Sequence, residues 1–270
     1  LRVYSGSAWQ DAAISSTGVV TLTGTQTLTN KTLTAPKINE NVAVTSTATE
    51  LNLLDGATVV IPGKVGGTNF GNSLLVGHAT TGTISSANQN TGLGILALKA
   101  LTTGDNNISI GYTAGTNVNS GAGNSYLGTS SGRRATTGSD NTVVGNSSAY
   151  YNVTGSDNTA LGADALEGVD GNSFSNNTAI GSSALKAITT GASNISLGKD
   201  SGDNITSGDG NVIIGSINAD SATGDKQLVI ADGVDGSVAW LKGDSSANVT
   251  VAGTLTSDTG LVKTVGKETI

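Results

Sequence analysis

Asn158-Thr159-Ala160-Leu161-Gly162-Ala163-Asp164-Ala165-Leu166 is answered nineteen residues later by Asn177-Thr178-Ala179-Ile180-Gly181-Ser182-Ser183-Ala184-Leu185. The shared phrase, Asn-x-x-apolar-Gly, recurs on both sides of this pair. It occurs at Asn90–Gly94, Asn107–Gly111, Asn124–Gly128, Asn141–Gly145, Asn158–Gly162, Asn177–Gly181, Asn194–Gly198 and Asn211–Gly215. Successive asparagines lie 17 residues apart, except for the one 19-residue step between Asn158 and Asn177. A degenerate ninth copy, Ser73–Gly77, lies 17 residues upstream of the first. Self-similarity at a short fixed period means stacked structural units, each contacting only its neighbours.

Each unit reads as two short strands and two turns. The residue before the glycine is always aliphatic: Leu93, Ile110, Leu127, Val144, Leu161, Ile180, Leu197, Ile214. Recurrence at the coil period places these side chains above one another. The following glycines (Gly94, Gly111, Gly128, Gly145, Gly162, Gly181, Gly198, Gly215) mark a turn that needs positive φ or close backbone approach. Three residues on comes a small residue (Ala97, Ala114, Ser131, Ser148, Ala165, Ala184, Ser201), then Leu, Ala or Gly. A second turn rich in Thr, Gly, Asp and Asn closes the unit, as in Thr103-Gly104-Asp105 and Thr154-Gly155-Ser156. Glycine and asparagine recur too often for a helix, and no apolar stripe holds a 3.6-residue period. The expected fold is all-β, a parallel β-roll or solenoid of about nine 17-residue coils, flattened and two-sided. At a strand spacing of about 4.8 Å such a stack is roughly 40 Å high. One such roll has a thin core, so an elongated homotrimer, in which copies complete one another's core, is expected.

The column Asn90, Asn107, Asn124, Asn141, Asn158, Asn177, Asn194 and Asn211 has a structural reading, an amide ladder along the stack, and a functional one, a lined ligand site. Eight identical copies favour scaffold. The two extra residues before Asn177 fall in Gly168-Val169-Asp170-Gly171-Asn172, where a turn bulges outward without shifting the strands. Acidic residues gather in the second turns, at Asp105, Asp140, Asp157 and Asp209. A calcium ladder would want Asp at one place in every coil. The register holding Asp140 and Asp157 instead reads Asn106, Gly123, Asp140, Asp157, Asn176, Ser193, Gly210, so no metal site and no cofactor are expected. His78, the only histidine, lacks partners for a ligand set or triad and reads as a turn residue. The pair Arg133-Arg134 reads as a solvated turn. Tyr112, Tyr126, Tyr150, Tyr151 and Phe174 read mainly as packing between coils, with Tyr150-Tyr151 and Phe174 near turns where a glycan or protein could reach them. No glycine-rich turn has the Gly-Lys-Ser/Thr ending of a phosphate-binding loop. No catalytic residues are assigned.

Composition agrees with stacked thin layers. Aromatics make up 3% and charged residues 12%, with 39 glycines, no Cys and no Met. The apolar fraction of 36%, held in strict register, opposes disorder. A net charge of −7 argues against nucleic-acid binding, and no apolar run reaches the roughly 18–20 residues of a membrane span. A chain that starts at Leu1 without any Met reads as an excerpt, so a missing targeting signal excludes nothing.

Three regions separate by texture. Residues 1–68 are Thr-rich and extended, and they include a Thr47-x-x-Glu50 capping box that opens a short helix at about 48–54. Residues 69–224 carry the repeat. Residues 225–270 lose the period and show strand-like runs at Gln227–Ala231, Val238–Lys242 and Asn248–Ala252.

Two stretches, Gly24-Thr25-Gln26-Thr27-Leu28-Thr29-Asn30-Lys31-Thr32-Leu33-Thr34-Ala35-Pro36-Lys37-Ile38 and Thr47-Ala48-Thr49-Glu50-Leu51-Asn52-Leu53-Leu54-Asp55-Gly56, resemble the tail fibres of tailed bacteriophages. The segment Trp240–Leu255 resembles them too. The repeat is similar to the head of trimeric autotransporter adhesins, a left-handed parallel β-roll of shorter period. The resemblance implies a structural shaft in a homotrimeric tail fibre of the virion. Its partners would be two further copies of itself, other tail or baseplate proteins and, through a distal tip, a host receptor, with no nucleic acid and no membrane insertion. The alternative it implies is a bacterial surface adhesin whose roll binds host ligands. An enzyme such as a tail-spike glycosidase would need paired carboxylates in a groove, and the turns offer scattered single acids.

Overall fold

The computed structural model describes residues 2–4, 6–11, 63–65, 71–77 and 84–252. The chain forms two units, Leu1–Ala57 and Thr58–Ile270. In the first, β1 (Arg2–Tyr4) and β2 (Trp9–Asp11) pair antiparallel, a hairpin that the Thr-rich texture does not announce. The expected helix at 48–54 with its Thr47/Glu50 cap, and His78, lie outside the described residues.

The described residues of the second unit form one 13-stranded sheet. It opens with β3 (Gly63–Val65), antiparallel to β4 (Leu74–Val76). From β4 the strands run parallel, one per coil: β5 (Thr91–Leu93), β6 (Ile108–Ile110), β7 (Ser125–Leu127), β8 (Thr142–Val144), β9 (Thr159–Leu161), β10 (Thr178–Ile180), β11 (Ile195–Leu197) and β12 (Val212–Ile214). The nine repeats therefore form nine coils of an all-β parallel solenoid. β13 (Leu228–Ala231) adds one more parallel strand before β14 (Ala239–Gly243) and β15 (Val249–Val251) finish the sheet antiparallel. These last three occupy the strand-like runs read from the sequence. The 19-residue step leaves pairing intact, with Thr178 opposite Thr159 and Ile180 opposite Leu161.

Among the described residues the second strand expected in each coil does not form. The return halves consist of turns and bends, and the dihedrals of the seven coils that turn at Gly94 to Gly198 say why. The second residue after the repeat glycine is left-handed (Leu96 φ 65°, Thr113 56°, Ser130 59°), and so is the fourth (Leu98 53°, Ala149 47°, Leu166 52°, Leu185 52°). Two such residues per coil forbid an extended run. The backbone still bonds from coil to coil, as in Leu98 N to Ala114 O (3.2 Å), Ala100 N to Thr116 O (3.0 Å) and Thr102 N to Asn119 O (3.0 Å). Parallel stacking thus survives without strand geometry.

Each repeat strand, β4 to β12, buries its middle residue and turns its flanks outward. The stacked aliphatics before the glycine therefore lie on the outer face, not in the core. Inside, the strand residue faces the left-handed residue of its own coil, and the two exchange volume. The pairs are Gly92 with Leu98, Tyr126 with Gly132, Val143 with Ala149, Ala160 with Leu166, and Ala179 with Leu185, all buried. A Cβ on Gly132 would come within 2.1 Å of the Tyr126 ring. Two coils pair small with small, Ser109 with Gly115 and Ser196 with Gly202, and their neighbours fill the space. Gly115 lies under Tyr126 and Leu98, and Gly202 under Leu185, Ile205 and Ile213. Close packing is thus met locally, coil against coil.

The lengthened turn is absorbed the same way. Phe174 folds inward and is 2% exposed, and Gly168 leaves room for its ring, since a Cβ there would meet Cε1 at 2.6 Å. Asn152 pins the detour, its Oδ1 accepting from Gly155 N (3.1 Å) and Phe174 N (3.2 Å).

Candidate functional site

The asparagine column is a continuous buried amide ladder. In each interior rung one Oδ1 accepts from both the backbone N–H and the Nδ2 of the next asparagine. Asn124 Oδ1, for example, accepts from Asn141 N at 3.1 Å and Asn141 Nδ2 at 2.9 Å. The second Nδ2 proton goes to a carbonyl in the turn that closes the coil, as from Asn107 to Gly121, Asn124 to Gly138, Asn177 to Gly191 and Asn194 to Gly208. Asn158 donates to Phe174 O, where the longer turn replaces the glycine. An amide offers two donors and one two-lone-pair acceptor, so nothing is left over for a ligand. Ser73 begins the ladder by accepting Asn90 N (2.8 Å). Gln227 ends it, donating N (2.8 Å) and Nε2 (3.1 Å) to Asn211 Oδ1. Gln227 went unrecognised in the sequence because it breaks the 17-residue step by one. Its amide at the right register was the available signal.

The repeat glycines stack as closely. A Cβ on Gly94, Gly111, Gly128, Gly145, Gly162, Gly181 or Gly198 would fall 2.2–2.7 Å from the carbonyl oxygen of the next one, at φ between 132° and 142°. No other residue fits this column.

The turn acids divide into two structural roles. Asp140 (φ 57°) and Asp157 (60°) share a left-handed position with Asn106, Gly123, Asn176, Ser193 and Gly210. Glycine, Asn and Asp are the residues that adopt it at least cost. Asp105 and Asp209 belong to a second ladder, in which a side chain caps the backbone N–H of the preceding coil. Its rungs include Asn88 N to Asp105 Oδ1 (2.6 Å), Ala122 N to Ser139 Oγ (3.0 Å), Ser139 N to Ser156 Oγ (2.9 Å), Ala192 N to Asp209 Oδ1 (2.7 Å) and Asp209 N to Asp225 Oδ1 (2.8 Å). Among the described residues no three His, Cys, Asp or Glu side chains converge as a metal set, and no helix is long and apolar enough to cross a membrane.

The arginine pair is engaged rather than merely solvated. Arg133 bonds the Tyr150 hydroxyl at 2.5 Å and lies 5.5 Å from that ring's centre, while Tyr150 and Tyr151 meet edge to face at 4.5 Å. Arg134 pairs with Asp170 of the lengthened turn. Lys186 bridges Asp164 (3.3 Å) and Glu167 (3.1 Å). These are exposed contacts worth little individually. Past the last coil, Asp232 caps its own loop, accepting from Val238 N at 2.8 Å and from the N–H groups of Val234, Asp235 and Gly236, which holds its carboxyl down at about 2.

The chemistry-free part of the surface is the outer face of the sheet. Leu93, Ile110, Leu127, Leu161 and Leu197 are 37–51% exposed, and Val144, Ile180 and Ile214 are partly so. Ile108 and Ile195 flank them on the same face, and Ile95 and Tyr112, in the turns that follow the repeat glycines, are exposed as well. The strip continues where the repeat ends, because Ile230 is opposite Leu241 and Leu241 opposite Val251 in the antiparallel strands. Comparison with known proteins adds no relative: no family model, no curated protein and no solved structure matches this chain.

Proposed function

We propose that the chain is a structural shaft segment of a homotrimeric fibre, with a tailed-bacteriophage tail fibre as its owner. The observation that carries this reading is the aliphatic strip on the outer sheet face. It runs in register across β4–β13 and continues through Leu241 and Val251 of the antiparallel strands, and contiguous exposed apolar surface of this kind marks interaction sites. Three copies turning these faces toward a common axis would bury the strip and supply the bulk that the thin single-chain core lacks. Both ladders run along the stack and stiffen it in the direction in which a shaft carries load. Tip-borne contacts to a host receptor would then gain from threefold presentation. The phage-fibre resemblance of the flanking stretches supports the owner, and genes for tail-tube or baseplate proteins beside this one would agree with it.

Sedimentation equilibrium of the chain tests the assembly. The expected mass is about three times 26.5 kDa. A stable monomer at micromolar concentration overturns the proposal.

A further inference from the structure

Beyond the last coil the sheet changes character. β14 carries a β-bulge: Ile230 is opposite Leu241, Ala231 is opposite Ala239, and Trp240 is the additional residue between them. A bulge re-aims the side chain it extrudes. Trp240 is 53% exposed, close to Tyr112 of the coils (55%), whereas Tyr126 and Phe174 are buried. Two residues along the same strand is Lys242. It forms, with Asp220, Asp244, Asn248 and Thr250, a recess of about 200 Å³. Pockets for drug-sized ligands run to about 300–1,000 Å³, so this recess has room for no more than a small group such as one ring.

Its groups are held in place yet keep bonding capacity. Lys242 Nζ pairs with Asp220 and has two further N–H donors. Asp244 Oδ1 accepts from Ser246 N (2.9 Å) and Asn248 N (3.0 Å), and Oδ2 accepts only from Asn248 Nδ2 (2.9 Å). The Thr250 hydroxyl has no partner among the described residues. An ammonium already paired with Asp220, in a recess that also holds the Asp244 carboxylate, disfavours a phosphate. Mixed donors and acceptors beside a flat exposed indole match a ligand with one apolar face and a rim of hydroxyls.

We propose that Trp240 and the Lys242/Asp244/Asn248/Thr250 recess form a saccharide-binding site, with the indole stacking on the C–H face of a pyranose ring and the recess bonding its hydroxyls. The site lies off the outer strip and does not depend on the assembly proposed above, which sedimentation reads separately.

The test uses the full chain carrying Trp9→Phe, so that Trp240 is the only indole. It is titrated with methyl glycosides of neutral and N-acetylated hexoses and their short oligomers. At least one glycoside should shift Trp240 emission saturably with a millimolar dissociation constant. Calorimetry or NMR should show binding at least about tenfold weaker in Trp240→Ala and in Asn248→Ala, with sedimentation and circular dichroism unchanged. No saturable response from any sugar up to about 50 mM, well above the millimolar range, overturns the site. So does binding that survives Trp240→Ala.

Discussion

The two faces of the long sheet obey opposite rules. The inner face is buried within one chain, yet its central column runs Gly92, Ser109, Tyr126, Val143, Ala160, Ala179, Ser196, Ile213, from the smallest side chain to one of the largest. The outer face is exposed, yet its column never leaves Leu, Ile and Val. The inner column can vary because each coil supplies its own compensation, Leu98 over Gly92 or Gly132 beneath Tyr126. Among the described residues nothing compensates the outer column. Its uniformity suits an equally regular surface that packs against every coil alike, as a second copy would.

The largest effect should come from breaking the ladder that borders the inner face. Asn124→Ala strands the Asn141 N–H and Nδ2, the Gly138 carbonyl and half the acceptor capacity of Asn107, all in buried surroundings. At about 1–3 kcal/mol per unmade bond, discounted for overlap, the loss is on the order of 4 kcal/mol by urea unfolding. A loss below about 1 kcal/mol would mean that water or backbone shifts replace the amide.

Next comes the volume exchange. Gly132→Leu drives a side chain into the Tyr126 ring and should cost about 3 kcal/mol. The left-handed φ is not the cause, since Leu166 adopts 52° at the equivalent position. Joined to Tyr126→Ala, which recreates the Ala160/Leu166 pair, the same change should recover most of the loss. If the double variant were as unstable as the single one, the pairing rule would be wrong.

The smallest effect on the coil itself belongs to the outer face. Leu161→Asp places a charge on a side chain that is 48% exposed, so unfolding of dissociated chain should shift by under about 0.5 kcal/mol. The same variant should sediment as a smaller species than the parent. A large loss of single-chain stability with association unchanged would reverse the assignment of the two faces.

Much of this was legible in the residues. The period, the nine coils, the scaffold reading of Asn90–Asn211 and the harmless extra turn before Asn177 all follow from spacing and turn chemistry, whereas for Phe174 the residues left packing and exposure both open and the structure buries it. The absent second strand was not legible, because Leu96, Leu98 and Leu166 are residues that rarely adopt positive φ, and only the stacked neighbours hold them there. The face of the aliphatic column also escaped the sequence. Register alone says that Leu93, Ile110 and Leu127 stack, and a side chain one position away stacks equally well.

By itself, then, the sequence determined periodicity, because a 17-residue recurrence of Asn and Gly can be satisfied only by identical units bonding to one another. Tertiary structure decided direction: which of three strand residues turns inward, which acids cap a neighbouring coil, and where a bulge extrudes Trp240. Those choices depend on the backbone dihedrals of the return half-coil and on volumes shared between adjacent coils, and no local pattern encodes either.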